Sequence, residues 1–236
     1  MKLTPIFYLL TGDKMIINPK EITDYNRSDW DIQKFFLFCT AVAGKKSEPI
    51  AVKINNLSDD ISAEMAENPY YDTHIRESGI IHYLLGIDDV PEFGLNRMKE
   101  YKLGKYNQWE AFFKWWIDRI WNIPPNLHVL LISDWLRRAN VEQLEKIPGV
   151  GKKTSRFFKL HTDPEATGIP LDTHILKFLK SIYPTNYVPK NTPSSVSIYN
   201  QLEEVARREM KKYMTKNYLN TLAEADLAIW KSYAYK

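Results

Sequence analysis

Apolar residues recur at intervals of three and four along most of this chain, which is the spacing of one face of an α-helix. Signals of a parallel β-sheet and of internal repeats are absent. The pattern predicts helices over residues 30–43, 107–121, 127–138, 152–161, 197–214 and 219–235, with two or three shorter ones between 50 and 100. The chain is therefore predicted to be all-α.

The segment 30–43 has apolar residues around most of its circumference, so it predicts a helix that is buried on most sides. Ser28 or Asp29 occupies the position of an N-cap, and Gly44 is expected to end the helix. The single cysteine, Cys39, lies in this segment and is interpreted as a small buried apolar residue.

The segment 107–121 is unusually aromatic. Phe112 and Trp116 share one helical face, and Trp109 and Phe113 lie alongside it. Such a face could stack on nucleic-acid bases. The periodicity is typical of a buried helix face, so packing in the core is the prediction.

Composition and charge change this picture only a little. Apolar residues make up 44% of the chain and aromatic residues 13%, which excludes wholesale disorder. The net charge of +3 permits nucleic-acid binding without requiring it. The apolar run at residues 6–10 is too short for a signal peptide core or a membrane span, so a cytoplasmic protein without membrane contact is expected.

The helical pattern breaks most sharply within LEKIPGVGKKT, residues 144–154. Pro148 cannot continue a helix, and Gly149 and Gly151 permit a backbone that other residues would strain. Without side chains in the way, the amides around Val150 can approach a phosphate closely. This stretch is therefore predicted to be a tight turn between two helices that binds the backbone of a nucleic acid.

A loop rich in helix breakers, residues 162–170, follows that second helix and leads to Asp172. Asp172 stands where an N-cap belongs, before the apolar residues Ile175, Leu176 and Leu179. Capping alone would explain this aspartate. The tetrapeptide DTHI that begins there also occurs at residues 72–75, where Asp72 is interpreted only as a helix cap.

The hairpin IPGVGKKT, the loop GIPLD and its continuation DTHI together resemble the helix-hairpin-helix-GPD superfamily of DNA glycosylases, the relatives of endonuclease III and 8-oxoguanine glycosylase. The resemblance implies two helical lobes with the active-site cleft between them. It places residues 28–160 in one lobe that ends in the hairpin, and residues 1–27 plus 161–236 in a second lobe that carries the catalytic aspartate. With one cysteine, this chain cannot hold the four-cysteine iron–sulfur cluster of many endonuclease III relatives.

By position, the resemblance implies that Lys153 is the nucleophile and that Asp172 is its acidic partner. Lys152 is the adjacent competitor. Consecutive residues on a helix point about 100° apart, so only one of the two lysines can face the cleft. The family pattern selects Lys153. Lys152 would then face solvent, contact a phosphate, or act as a nearby cation that lowers the pKa of Lys153.

The expected partner is DNA, bound through its backbone phosphates and one flipped nucleotide, by a monomer that needs no metal or organic cofactor. The residues expected to bind DNA are Pro148, Gly149, Val150, Gly151, Lys152, Thr154 and Arg156.

The function that follows is a DNA N-glycosylase with abasic-site lyase activity, which excises a modified or damaged base through a lysine Schiff base. One alternative is an enzyme of the phage type on the same fold, which elaborates thymine bases in DNA instead of removing them. Another is a non-catalytic DNA-binding module, which would have no reason to keep Lys153 and Asp172 together.

Overall fold

The computed structural model describes residues 16–67, 79–86, 91–120, 128–184 and 186–234, and every regular element in these ranges is an α-helix. The helices are α1 (Asp29–Val42), α2 (Ser47–Glu67), α3 (Ile80–Leu85), α4 (Pro91–Glu100), α5 (Tyr106–Ile120), α6 (His128–Arg138), α7 (Val141–Leu144), α8 (Lys152–Leu160), α9 (Thr173–Ile182), α10 (Val196–Asn217) and α11 (Leu222–Ala234). The all-α prediction is confirmed. The second DTHI tetrapeptide, at 72–75, lies outside the described residues.

Helix α1 is the centre of the first half of the molecule. The side chain of Ser28 accepts a hydrogen bond from the Asp31 amide at 3.1 Å, which confirms the predicted cap. All residues from Ile32 to Ala41 are buried, because α2, α3, α6 and α8 pack around them. Cys39 is one of these buried residues, as predicted, and burial raises the pKa of its thiol.

Helix α5 places its aromatic side chains in the core. Trp109, Phe112, Phe113 and Trp116 are each no more than 2% exposed. Phe112 meets the rings of Trp109 and Phe113 edge-on, at centroid distances of 5.3 and 5.4 Å. The interpretation of this periodicity as core packing is confirmed, and these four rings are not available to stack on bases.

The buried apolar residues form two separate clusters. The first runs from Ile17 to Phe158 and the second from Leu160 to Ile229, so they divide within the last turn of α8. Helices α9, α10 and α11 surround the second cluster. Residues Ile17 and Ile22 pack in the first cluster, whereas the allocation predicted from sequence put residues 1–27 with the second lobe.

The segment 16–27 nevertheless touches the end of α8 as well. The buried Arg27 guanidinium donates to the carbonyl of His161 at 2.6 Å and lies 4.0 Å from the centre of the Phe35 ring. The amide of Asp24 donates to the same His161 carbonyl at 3.2 Å. Burial lowers the pKa of Arg27 to about 10. These bonds fix the C-terminal end of α8 against the N-terminal segment.

None of the helices in the described part of the chain combines the length and the apolar character needed to cross a membrane.

Candidate active site and nucleic-acid interface

The sequence IPGVG, residues 147–151, forms a tight turn between α7 and α8; we call it the IPGVG turn. The Val150 amide donates to the Ile147 carbonyl at 3.0 Å. Gly149 has a φ of +87°, the left-handed value that the third residue of a type II turn requires. The prediction that this position requires glycine is therefore confirmed for Gly149, because a side chain would strain the backbone at this φ.

Gly151 has a different role from the one predicted. Its φ of −100° and ψ of 179° are extended values that any residue adopts, so the expected backbone strain is absent there. A Cβ added at Gly151 would have nothing within 4 Å. The missing side chain therefore leaves open space in front of the helix that follows.

Gly151 is the N-cap of α8, and no side chain caps this helix end. The first amides of a helix lack intrahelical partners and carry the positive end of its dipole, which favours an anion there. The side chain of Thr154 is buried at 4% exposure, so only its backbone amide can contribute to such a site. Val150 is 5% exposed and its amide already donates to Ile147, so of the predicted DNA contacts the glycines of the turn and the helix end remain available.

Arg156 does not belong to this surface, and its assignment to DNA binding is corrected. It is 6% exposed. Its guanidinium pairs with Glu145 at 2.5 Å and with Glu203 at 2.9 Å, and it lies 4.8 Å from the centre of the Tyr199 ring. Arg156 therefore ties the IPGVG turn, through Glu145 beyond α7, to α10.

Lys152 turns toward the same carboxylate. Its Nζ atom lies 3.4 Å from Glu145 Oε2, and the side chain is about one-fifth exposed, at 22%. The prediction that Lys152 and Lys153 face different ways agrees with this pairing. The pairing also makes Lys152 a less suitable cation to act on Lys153 than the sequence suggested.

Lys153 is partly exposed and has a different cationic neighbour, Lys105. The pKa of Lys105 is lowered by burial first, and then by the positive charges of Lys45 and Lys153. Among the described residues no carboxylate forms an ion pair with Lys153, in contrast to Lys152.

The loop before Asp172 is held by two side chains of α10. Glu203 accepts a hydrogen bond from the Ile169 amide at 2.8 Å. The Tyr199 hydroxyl accepts from the Leu171 amide and donates to the Ile169 carbonyl, both at 3.1 Å. The network of Arg156, Glu203 and Tyr199 therefore fixes both α8 and this loop, which places Lys153 and Asp172 on one frame.

Asp172 is the N-cap of α9, as predicted. Its Oδ1 atom accepts hydrogen bonds from the amides of His174 and Ile175, both at 2.8 Å. Its other carboxylate oxygen accepts no hydrogen bond from the described residues. One oxygen is thus used by the fold, and the second is left for another partner.

The surroundings of Asp172 favour its protonated form. Asp172 is partly buried, and this burial raises its pKa; the negative charge of Asp226 raises it further. The hydrogen bond from the Ile175 amide is the largest of the influences that oppose this rise in the pKa of Asp172, and they do not cancel it. The charge of Lys153 is the weakest of these influences, and among the described residues no ion pair joins Lys153 to Asp172.

Sequence patterns did not reveal the residues behind Asp172. His161 is fully buried, with Nδ1 at 2.8 Å from the Thr23 hydroxyl and Nε2 at 3.3 Å from Asp226 Oδ2. Asp226 stands one turn before Trp230 on α11, and the Trp230 ring meets His174 edge-on at 6.1 Å. These partners are far apart in sequence, so no local spacing could have predicted them.

No group of three or more His, Cys, Asp or Glu side chains is arranged to hold a metal ion in the ranges that the structure describes. A depression of about 230 Å³ lies where α6 meets α7, lined by Asp134, Trp135, Arg138, Ala139 and Gln143. None of the predicted site residues contributes to it.

Comparison of this chain with protein-family models, with curated proteins and with solved structures gave no match.

Proposed function

We propose that the protein is a DNA N-glycosylase with abasic-site lyase activity. The observation that supports this most is the network of Arg156, Glu203 and Tyr199, which joins α8, with Lys153 in its first turn, to the loop that ends at Asp172. An amine beside a fixed carboxylate is what covalent attack on a sugar carbon needs. The resemblance of the hairpin and of the GIPLD loop to DNA glycosylases supplies the substrate class.

DNA binding in this proposal uses the IPGVG turn and the open end of α8. Backbone amides that are free of a side-chain cap can donate to one phosphate group, and the helix dipole favours the negative charge. Such contacts position the duplex without reading its sequence. The target nucleotide then leaves the stack and enters the space beside Lys153 and Asp172.

The chemistry begins when Nζ of Lys153, in its neutral form, attacks C1′ of the deoxyribose. The C1′–N bond breaks, its electron pair leaves with the base, and the base takes up a proton. The attached nitrogen loses a proton, and its lone pair then forms the C1′=N bond of a Schiff base while the C1′–O4′ bond breaks and O4′ takes up a proton. Removal of a C2′ proton then expels the 3′ phosphate by β-elimination, and water releases the lysine.

Asp172 contributes a negative charge at a fixed position. Two amide hydrogen bonds to Oδ1 hold the carboxylate, and its second oxygen can face the sugar. As the base departs, positive charge develops on the deoxyribose, and a nearby anion stabilises it. The raised pKa of Asp172 also makes this carboxylate a better proton acceptor.

The direct test is reduction with borohydride in the presence of duplexes that carry an abasic site or one of a panel of modified bases. Wild-type protein should form a covalent complex with DNA. The Lys153→Ala variant should lose this complex, whereas Lys152→Ala should keep it, because Lys152 is paired with Glu145. Full activity of Lys153→Ala would contradict the lyase mechanism. A chemically altered base without any trapped complex would favour the group-transfer alternative.

A further inference from the structure

Three lysines hydrogen-bond the α1–α2 region to the loop of residues 101–105. Lys45, in the connection between α1 and α2, donates from Nζ to the Leu103 carbonyl. Lys105, just before α5, donates in the opposite direction to the Ala43 carbonyl. Lys53 of α2 donates to the Lys102 carbonyl at 2.8 Å. Each ammonium group keeps further donors that these bonds do not use.

The loop of residues 101–105 has an unusual backbone. Lys102, Gly104 and Lys105 all have positive φ values, of 51°, 68° and 56°. A lysine gains nothing from this conformation, which glycine and asparagine adopt more readily. Strained backbone of this kind is concentrated at functional sites, where the side chain is needed in spite of its cost. Both lysines of this loop are exposed.

These two regions adjoin the IPGVG turn. A Cβ on Gly149 would lie 3.6 Å from Cβ of Gln108, in the first turn of α5, and 3.7 Å from Cγ2 of Thr40, near the end of α1. Lys105 directly precedes α5, and Lys45 follows the end of α1. The lysines and the turn therefore belong to one continuous surface of the molecule.

The charges on this surface are not neutralised. Among the described residues no carboxylate forms an ion pair with Lys45, Lys53, Lys105 or Lys153. Instead the lysines repel one another. Partial desolvation is the main cause of the lowered pKa of Lys45, and the charge of Lys53 is the next cause. The pKa of Lys105 is lowered by partial desolvation first and then by the charges of Lys45 and Lys153. The bonds of Lys53 and Lys45 to loop 101–105, the position of Lys105 at its end, and the contact of Gly149 with Gln108 place these residues along one surface that ends at the turn before Lys153. We call Lys53, Lys45, Lys105 and Lys153 the lysine track.

We propose that the lysine track binds the phosphates of one DNA strand that runs on from the IPGVG turn. Four neighbouring cations without carboxylate partners are the surface that a regularly charged polyanion requires. Bound phosphates would remove the repulsion among the lysines. This proposal rests on the proposed function for its choice of DNA, and it extends the contact from α8 to the α1–α2 connection and to loop 101–105.

The test is the salt dependence of binding to a duplex of random sequence. Each lost phosphate contact should reduce the slope of log K against log salt by about 0.9, so Lys45→Gln/Lys105→Gln should reduce it by about 1.8. The control is Lys211→Gln/Lys216→Gln, which removes two exposed charges from α10. The control should leave the slope unchanged, because the slope depends on the number of phosphate contacts and not on the net charge of the protein.

A second variant is chosen because it should fold even if the double variant does not. Lys105→Gly removes a charge at a position whose φ of 56° suits glycine, so we expect a folded protein and a slope smaller by about 0.9. Equal slopes for wild type, Lys45→Gln/Lys105→Gln and Lys105→Gly would overturn the lysine track, even if borohydride trapping succeeds. Reduced slopes without any trapping would support the track and count against the glycosylase. A wild type that does not bind DNA would overturn both.

Discussion

Helix α8 has two faces whose surroundings differ. On one face, Lys152 and Arg156 are paired with Glu145, and Arg156 also with Glu203. On the other, Lys153 pairs with no carboxylate among the described residues, and its charge lowers the pKa of Lys105. Lys152 and Lys153 are adjacent in sequence, but the rotation of about 100° between consecutive helical residues places them in different environments.

The difference between the two faces of α8 suggests how a reactive amine is held in a fixed position. The paired face connects α8 to α10, and α10 in turn holds the loop that leads to Asp172. A catalytic pair works only when surrounding residues fix its geometry. The paired face of α8 supplies this fixed frame, and the unpaired face presents Lys153.

The largest expected effect comes from breaking the paired face. Arg156→Met should lower the free energy of unfolding by about 3–5 kcal/mol, because Glu145 and Glu203 lose the cation between them and Glu203 is buried. Chemical denaturation measures this. The matched control Lys152→Met should cost less than about 1 kcal/mol, since Glu145 keeps Arg156. Similar costs for the two variants would show that the faces of α8 do not differ as described.

The next effect concerns the acidic partner of Lys153. Asp172→Asn should reduce the single-turnover rate of base excision by about 100-fold or more, because the charge that stabilises the sugar is lost. The fold should remain, since Asn caps helices as well as Asp does. A rate close to that of wild type would remove Asp172 from the chemistry.

The same variant has a pH signature. Because folding raises the pKa of Asp172, the folded state keeps its proton to a higher pH than the unfolded chain does. The contribution of this group to stability therefore falls as pH rises from the ordinary pKa of Asp through the raised one. Asp172→Asn should gain in Tm relative to wild type across that rise. A gain that does not depend on pH would mean that Asp172 ionises normally.

The smallest effects separate the two glycines of the IPGVG turn. Gly149→Ala should cost about 1–2 kcal/mol, because alanine is strained at a φ of +87°. Gly151→Ala should cost less than about 1 kcal/mol, since its backbone is ordinary and its Cβ meets no atom. Thermal unfolding of the two variants compares them directly. Equal costs would contradict the turn geometry.

The sequence predicted the features that depend on neighbours along the chain. The Ser28 and Asp172 caps, the buried α1 and the core position of the α5 aromatics all follow from residues within a few turns. Lys153 and Asp172 were selected by resemblance, and their joint role stays a prediction.

What the sequence missed depends on contacts between distant segments. Arg156 looked like a surface cation, because nothing near it in sequence shows that Glu203 buries and neutralises it. The bond between His161 and Asp226 and the reciprocal lysine bonds of loop 101–105 are equally invisible. Helical periodicity identifies a buried face, but it does not tell which charged residues will meet across it.

The most direct test of Lys153 as the nucleophile is peptide mapping of the borohydride-reduced complex by mass spectrometry. Trypsin does not cleave after a modified lysine, so an adduct on Lys153 should leave a peptide that begins at Lys153 and continues through Thr154 and Ser155 to Arg156. We expect the reduced sugar remnant on Lys153 alone. An adduct on Lys152 or Lys105, or a reduced complex in which Lys153 is unmodified, would contradict the assignment.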